Sequence, residues 1–282
     1  INTSMMIKPF YSLLIAGFIS LNAFAQPSNQ ELESFINATL DSFEIPSISV
    51  AVVKNGEVIY SGSHGVRSTN NESVAIDANT QYAIASLSKA FTAASIGMLV
   101  DEGKLDWNDK VIDHLPWFKM HDEYVTQHMT ITDLLSHRSG LITFDGDLLW
   151  YGSNYSREEV IKRIQYREPT YEFRTEFGYQ NIMFMTAGEV IEAASGMTWD
   201  DFIKTRILEP LEMKNTTSEF AKFNSSTNRA EPHINMKEIG RLSYDNCGAT
   251  AALNSSANDM SKWVSFWLNG GIHNGDTLLS QK

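Results

Sequence analysis

The sequence contains a single cysteine, Cys247, among 282 residues. One thiol cannot form a disulfide within the chain, so a packed core has to stabilise the fold without cross-links. The hydrophobic fraction of 43% is sufficient for such a core. This composition excludes disordered, collagen-like and disulfide-rich proteins.

Basic residues are also scarce, since 22 Lys+Arg stand against 34 Asp+Glu, a formal net charge of −12. Nucleic-acid binding requires clustered positive charge, so no nucleic-acid partner is expected, and attraction to anionic lipid is disfavoured. His114, His121 and His128 are irregularly spaced among polar residues. We therefore predict no metal site and no cofactor.

The apolar run Phe10 to Leu21 is too short for a comfortable membrane span. It follows Lys8 and precedes Ala23 to Ala25, a small-x-small sequence typical of signal-peptide cleavage. We therefore predict a signal peptide over residues 1–25, with residues 1–4 as read-through before Met5. The mature protein is expected to be exported, periplasmic or secreted from a bacterial cell, with no membrane span. The alternative is an uncleaved N-terminal anchor or a buried first helix.

Local patterns predict one early hairpin followed mainly by helices. Asn55-Gly56 separates the apolar runs Ile48 to Val53 and Val58 to Ser61, which is a strong hairpin signal. The spacing of apolar residues, with predicted caps at Gly103, Gly196 and Thr198, predicts helices over residues 31–43, 85–100, 131–136, 182–194, 199–207 and 258–268. The layout is that of an α/β protein with few strands.

Ser86 and Lys89 lie three positions apart at the start of the predicted helix 85–100. Residues i and i+3 share a helix face, so the Ser86 hydroxyl and the Lys89 amine can meet. A serine needs a base to become a nucleophile, and a buried lysine can be that base. The apolar residues after Lys89 favour this interpretation. The alternative is a surface N-cap serine followed by an exposed lysine.

Tyr179 and Asn181 form a second candidate pair, on a turn between Gly178 and a predicted helix. A tyrosine near a lysine cation can relay a proton, because the cation favours the phenolate. An asparagine two residues later can donate to a substrate carbonyl and accept from the lysine. The triplet Tyr244 to Asn246 has the same spacing, but the turn favours Tyr179.

Five stretches of the sequence, in order, carry a family resemblance. They are Ala85–Thr92 with its Ser-x-x-Lys, Leu134–Leu141, Phe177–Asn181, Gly196–Met213 and Ala252–Met260. Together they resemble the serine β-lactamase and penicillin-binding-protein-like family, of the class C β-lactamase type. The resemblance extends from about residue 31 to the end of the chain.

This resemblance implies an antiparallel sheet flanked by helices, next to an all-helical region that carries Tyr179, with the active site between them. It implies that Ser86 is acylated, that Lys89 activates it, and that Tyr179 relays a proton to the leaving group. Asn181 would bind substrate and orient the lysine. The N–H of Ser86 would supply half of an oxyanion hole.

The sequence departs from the family pattern in two places. Ala251-Ala252 stand where paired glycines are usual, and a late strand with Lys/His-x-Gly is missing. His273 to Gly275 matches Lys/His-x-Gly by residue type but lies in a loop-like run, and Lys204 to Arg206 lies in a predicted helix. We therefore expect residues 26–282 to form one hydrolase domain that is incomplete at its C-terminus, with late sheet strands missing.

The expected function is that of an exported serine hydrolase acting on a small-molecule or peptide substrate: a β-lactam, a D-amino-acid peptide or a small ester. The alternative from another class is a penicillin-recognising sensor or peptidoglycan-binding module that does not hydrolyse its ligand. A simple esterase with no role in the cell wall is a third interpretation. Substrate choice and oligomeric state stay open, because specificity in such folds depends on loop shape.

Overall fold

α1 (Asn29–Phe43) is the first element of the computed structural model, which describes residues 27–71 and 74–281. The Ser28 hydroxyl accepts from the Glu31 N–H at 3.3 Å, and the Glu31 carboxylate accepts from the Ser28 N–H at 2.8 Å. Because this reciprocal cap precedes the first apolar residue, the helix begins two residues before the predicted start. The predicted signal peptide lies outside the described residues.

The predicted hairpin is confirmed as β1 (Ser47–Lys54) and β2 (Glu57–Gly65), which pair antiparallel. Asn55 and Gly56 both have positive φ, 52° and 81°, as a two-residue turn between twisted strands requires. Among the described residues, this sheet has no third strand.

The other strands are each two residues long, and they form one tie between distant segments and two local hairpins. They are β3 (Tyr82–Ala83) paired with β6 (Asn254–Ser255), β4 (His233–Ile234) with β5 (Lys237–Glu238), and β7 (Ile272–His273) with β8 (Asp276–Thr277). The last pair corrects one expectation, since the run before Asp276 is a hairpin. Asn274 and Gly275 form its turn, with φ of 50° and 91°.

Helices are the main regular elements of the remaining chain. They are α2 (Ser88–Asp101), α3 (Val111–His114), α4 (Glu123–His128), α5 (Ile131–Ser136), α6 (Arg157–Arg163), α7 (Asn181–Ser195), α8 (Trp199–Ile203), α9 (Phe220–Ser225), α10 (Gly248–Ala251) and α11 (Ala257–Leu268). The predicted helix 199–207 widens into a π-helical turn over Lys204–Leu208. There the Glu209 N–H donates to the carbonyl of Lys204, five residues back, at 2.9 Å.

One continuous core joins the helical region to α11, which in turn packs on the hairpin. α2 packs against α7, α8 and α10, and α11 packs on β1 and β2. Phe91 of α2 stacks on Trp263 of α11, with ring centroids 4.0 Å apart. The predicted α/β arrangement, with helices on the antiparallel sheet and an all-helical region beside it, is therefore confirmed. No helix in the described ranges combines the length and apolar character needed to cross a membrane.

Candidate active site

Ser86 lies in a 3₁₀ turn, Ala85–Leu87, immediately before α2. The predicted α-helix starts three residues late because Ala85 has a φ of 44°, which no right-handed helix allows. A left-handed alanine costs roughly 1–2 kcal/mol, so neighbouring contacts have to hold this turn. The Ile84 N–H donates to the Leu253 carbonyl at 3.0 Å, continuing the tie between β3 and β6.

Lys89 reaches Ser86 as the i, i+3 spacing predicts. Its Nζ donates to Ser86 Oγ at 3.1 Å, to Asn181 Oδ1 at 2.8 Å and to the Thr250 carbonyl at 3.1 Å. The residue is only 7% exposed. Burial disfavours the ammonium form and lowers the pKa of Lys89 to about 8, although the nearby Asp147 carboxylate opposes the shift. The alternative of an exposed lysine is therefore wrong.

Tyr179 contacts the same serine oxygen. Its hydroxyl donates to Ser86 Oγ at 2.7 Å, and Lys89 Nζ lies 4.8 Å from the centre of its ring. Backbone contacts hold the tyrosine, since its N–H donates to Thr143 Oγ1 at 3.1 Å and its carbonyl accepts from the Phe144 N–H at 2.8 Å. Ser86 Oγ thus receives hydrogen bonds from an amine and a phenol.

Gly178 lets the segment that carries Tyr179 lie directly against the backbone of Leu141. A Cβ at this position would overlap the carbonyl oxygen of Leu141. The Gly178 N–H also donates to the His137 carbonyl at 2.9 Å. The glycine is therefore required by space, not by an unusual φ.

Asn181 is the first residue of α7 and is buried. Its Oδ1 accepts from Lys89 Nζ and, at 3.1 Å, from the Thr250 hydroxyl. Its Nδ2 donates to Asp147 Oδ2 at 2.8 Å. The structure places Asn181 on the lysine as predicted, and its substrate contact stays a prediction.

Sequence reasoning missed Asp147, which lies in a 3₁₀ turn, Asp147–Leu149. Beside its contact to Asn181, the carboxylate accepts from the indole N–H of Trp150 at 3.0 Å. Burial raises the pKa of Asp147, while Trp150, Asn181 and Lys89 favour its charged form. No motif marks this acid, because its partner lies 34 residues away along the chain.

His137 makes structural contacts to the segment that carries Tyr179. It ends α5 in a left-handed conformation with φ of 60°, and its Nδ1 accepts from the Gln180 N–H at 3.0 Å. The ring stacks on Tyr179 with centroids 4.5 Å apart. Burial, with a smaller contribution from the charge of Lys89, lowers the pKa of His137 to about 4. The neutral ring thus supports the tyrosine.

Cys247 lies in the 3₁₀ turn Asp245–Cys247, directly before α10. It is a free thiol and fully buried. Burial raises the pKa of Cys247 to about 12, so the sulfur is a neutral thiol at physiological pH.

The other candidate residues lie elsewhere. Tyr244 packs its ring against Trp150, with centroids 6.0 Å apart. His273 lies in the β7–β8 hairpin and Lys204 in the π-helical turn, and within the described ranges neither hydrogen bonds to Ser86. In the same part of the chain, no group of three or more His, Cys, Asp or Glu side chains could hold a metal ion.

Residues 32–282 match the model of the protein family described as Beta-lactamase. The Protein flp of Staphylococcus aureus (strain MW2) is 29% identical over 252 residues, which are 86% of this chain and 49% of that protein. The unguisins hydrolase ungD' of Aspergillus campestris is 32% identical over 260 residues, 84% of this chain and 47% of that protein. The chain thus spans about half the length of the curated relatives it matches.

Solved structures share this architecture. The octameric penicillin-binding protein homologue from Pyrococcus abyssi superposes with a TM-score of 0.74 and 25% identity, over 89% of this chain and 58% of that one. The D-alanine carboxypeptidase AmpC from Burkholderia cenocepacia gives a TM-score of 0.72 at 18% identity, covering 89% and 68% of the two chains. A mutant class C beta-lactamase gives a TM-score of 0.71 at 20% identity, over 83% of this chain and 62% of that one. The last two comparisons show a common fold.

Proposed function

The chain belongs to the beta-lactamase family, and we propose that it is a serine hydrolase that forms an acyl-enzyme on Ser86. One observation carries the proposal. Ser86 Oγ accepts hydrogen bonds from Lys89 Nζ at 3.1 Å and from the Tyr179 hydroxyl at 2.7 Å. Since the pKa of Lys89 is lowered to about 8, its neutral form is available to remove the serine proton near neutral pH.

In the proposed mechanism, neutral Lys89 takes the Ser86 proton while Oγ bonds to the substrate carbonyl carbon. The tetrahedral intermediate collapses as the Tyr179 hydroxyl protonates the leaving atom, and the phenolate recovers a proton from the Lys89 ammonium. Water then repeats these steps on the ester, which releases the acid and restores Ser86. The N–H of Ser86, near the start of a helical turn, is available for the oxyanion.

The proposed substrates are carbonyl compounds with an acyl group that a serine can take: β-lactams, D-amino-acid peptides or small esters. The names of the relatives support this range, since they include a hydrolase, a D-alanine carboxypeptidase and a penicillin-binding protein homologue. Asn181 is proposed to orient Lys89 and, through its second N–H, to contact the substrate.

The test is intact mass after exposure to a penicillin and, separately, to a p-nitrophenyl ester. An acyl adduct should map to the peptide that contains Ser86, and Ser86→Ala should abolish it. Ser88→Ala is the matched control, because Ser88 is buried and its hydroxyl only links the Ala85 carbonyl to the Leu253 N–H. Adduct that persists in Ser86→Ala contradicts the proposal. A stable adduct without turnover identifies a penicillin-recognising sensor instead.

We also propose export, which the pattern Lys8, Phe10 to Leu21 and Ala23 to Ala25 supports. Protein recovered from an envelope fraction should begin at Gln26. Ala25→Phe should block that cleavage. Full-length protein confined to the cytoplasm contradicts this proposal.

A further inference from the structure

Asp147 is joined to the nucleophile by a chain of hydrogen bonds that runs through one amide. Its Oδ2 accepts from Asn181 Nδ2 at 2.8 Å, and Asn181 Oδ1 accepts from Lys89 Nζ at 2.8 Å. Lys89 Nζ then donates to Ser86 Oγ at 3.1 Å. Asp147 and Lys89 therefore hold opposite ends of the same side-chain amide.

This arrangement determines which way the Asn181 amide points. A carboxylate only accepts hydrogen bonds, and an ammonium only donates them. The nitrogen of the amide must therefore face Asp147 and the oxygen must face Lys89. Trp150 occupies the other carboxylate oxygen at 3.0 Å, so the position of Asp147 is itself held.

Asp147 is also the charged neighbour of Lys89. Of the other titratable groups around the lysine, Cys247 is a neutral thiol below about pH 12, and His137 is neutral above about pH 4. Tyr179 contributes its hydroxyl to Ser86, and α7 and α10 contribute the uncharged groups of Asn181 and Thr250. The negative charge that opposes proton loss from Lys89 is thus that of Asp147.

We propose that Asp147 is a positioning residue that orients the Asn181 amide toward Lys89, and that its carboxylate sets the pH range in which Ser86 is acylated. The inference rests on the proposed function. The effect of Asp147 on Ser86 is transmitted through Asn181, since Asp147 makes no hydrogen bond to Ser86 itself in the described part of the chain.

Asp147→Asn tests both parts of the inference. An asparagine at this position presents an N–H₂ group either to the Trp150 N–H or to Asn181 Nδ2. In both cases two donors face each other, so the hydrogen bonds that hold the Asn181 amide toward Lys89 are disturbed. We expect the maximal rate of acylation by a p-nitrophenyl ester to fall roughly tenfold or more. Without the carboxylate, Lys89 loses its proton more easily, so the midpoint of the rate–pH profile should move toward acid by about half a unit or more.

Two variants complete the experiment. Asp147→Glu keeps the charge but moves the carboxylate, so its maximal rate should fall while the midpoint stays near that of the parent. Asp145→Asn is the matched control, because Asp145 is a buried acid two residues away that pairs with Arg167 at 2.6 Å. It should lower the melting temperature and leave the midpoint unchanged.

An Asp147→Asn variant that keeps the parental rate and midpoint overturns the inference, as does an Asp145→Asn variant with the same acid shift. If Asp147→Asn does not fold, Asp147→Glu decides, and a parental maximal rate in that variant is the contradicting result. Failure of the proposed function is seen separately, as a parent protein that gives no adduct on Ser86.

Discussion

Burial of the Lys89 amine links the reactivity of Ser86 to pH. Because the pKa of Lys89 is lowered to about 8, the fraction of neutral amine rises as the pH rises through that value. The acylation rate of the parent protein should rise over the same range. Lys89→Arg keeps the positive charge but cannot lose a proton near neutral pH, so acylation should fall by about a hundredfold or more. An Arg variant that reacts at the parental rate would show that Lys89 acts only through its charge.

His137 should make the protein sensitive to acid. The folded state holds its pKa near 4, below the ordinary value of 6.5, so the unfolded chain binds more protons between these two values. The free energy of unfolding should therefore fall as the pH is lowered from 6.5 to 4, by ~1–2 kcal/mol once solvent screening of the part-buried ring is allowed for.

His137→Asn tests this linkage. Asparagine tolerates a φ of 60°, and its side-chain oxygen can accept from the Gln180 N–H. Urea unfolding of this variant should depend less on pH between 4 and 6.5. Acylation at neutral pH should fall several-fold, because Tyr179 loses the ring that supports it. An unchanged acid dependence would exclude His137 as its source.

The residues of the site differed in how far the sequence could predict them. Ser86 and Lys89 lie within one turn, so their meeting follows from helix geometry alone. Tyr179 and Asn181 were predicted from a turn and a family resemblance, with no physical reason in the sequence for them to meet Ser86. Asp147 was missed because its role depends on a contact that only the folded chain creates.

At the scale of elements, Gly178 determines where the Tyr179 segment can lie. In Gly178→Ala, the added methyl would overlap the Leu141 carbonyl, so the segment must move away from Ser86. We expect a loss of about 1–3 kcal/mol in stability and a larger relative loss of acylation, about tenfold or more. Gly240→Ala is the matched control, since a Cβ there meets nothing within 4 Å. Melting curves and ester kinetics on both variants check this. Equal kinetics in the two would contradict the steric argument.

The starts of α8 and α11 were predictable, and each of these helices has a side-chain cap. Thr198 and Ser256 accept from the N–H groups of Asp201 and Asp259, and the helices that follow begin within one residue of the predicted positions. The strands β3 and β6 could not be predicted, because they lie some 170 residues apart and have no pattern of their own. The 3₁₀ turn at Ala85–Leu87 likewise depends on its ties to the rest of the fold.

At the scale of the whole molecule, the stack of Phe91 on Trp263 joins the helical region to the layer that covers the hairpin. Because the core is continuous across this contact, the described part of the chain should unfold in a single transition. Trp263→Ala should lower the stability of both regions together, by about 3–5 kcal/mol. Near-ultraviolet and far-ultraviolet circular dichroism should report the same reduced midpoint. Trp267→Ala is the control, since that side chain is 46% exposed and should cost much less. Two separate transitions in either variant would contradict the single core.

The general arrangement of the molecule was predictable. The hairpin, the helices and the family resemblance together predicted an α/β protein with an all-helical region, and the structure confirms it. That residues 26–282 form one domain with an incomplete C-terminus stays a prediction.

The buried thiol of Cys247 can report local opening of the folded protein. Because the thiol is buried in the 3₁₀ turn that precedes α10, where this turn packs against α7, a thiol-specific reagent can react only when that packing opens. The rate of alkylation under native conditions therefore measures the free energy of that opening, with no engineered label. A substitution that alters only the charge around Lys89 should leave this alkylation rate unchanged. A substitution that loosens the packing around Cys247 should accelerate it.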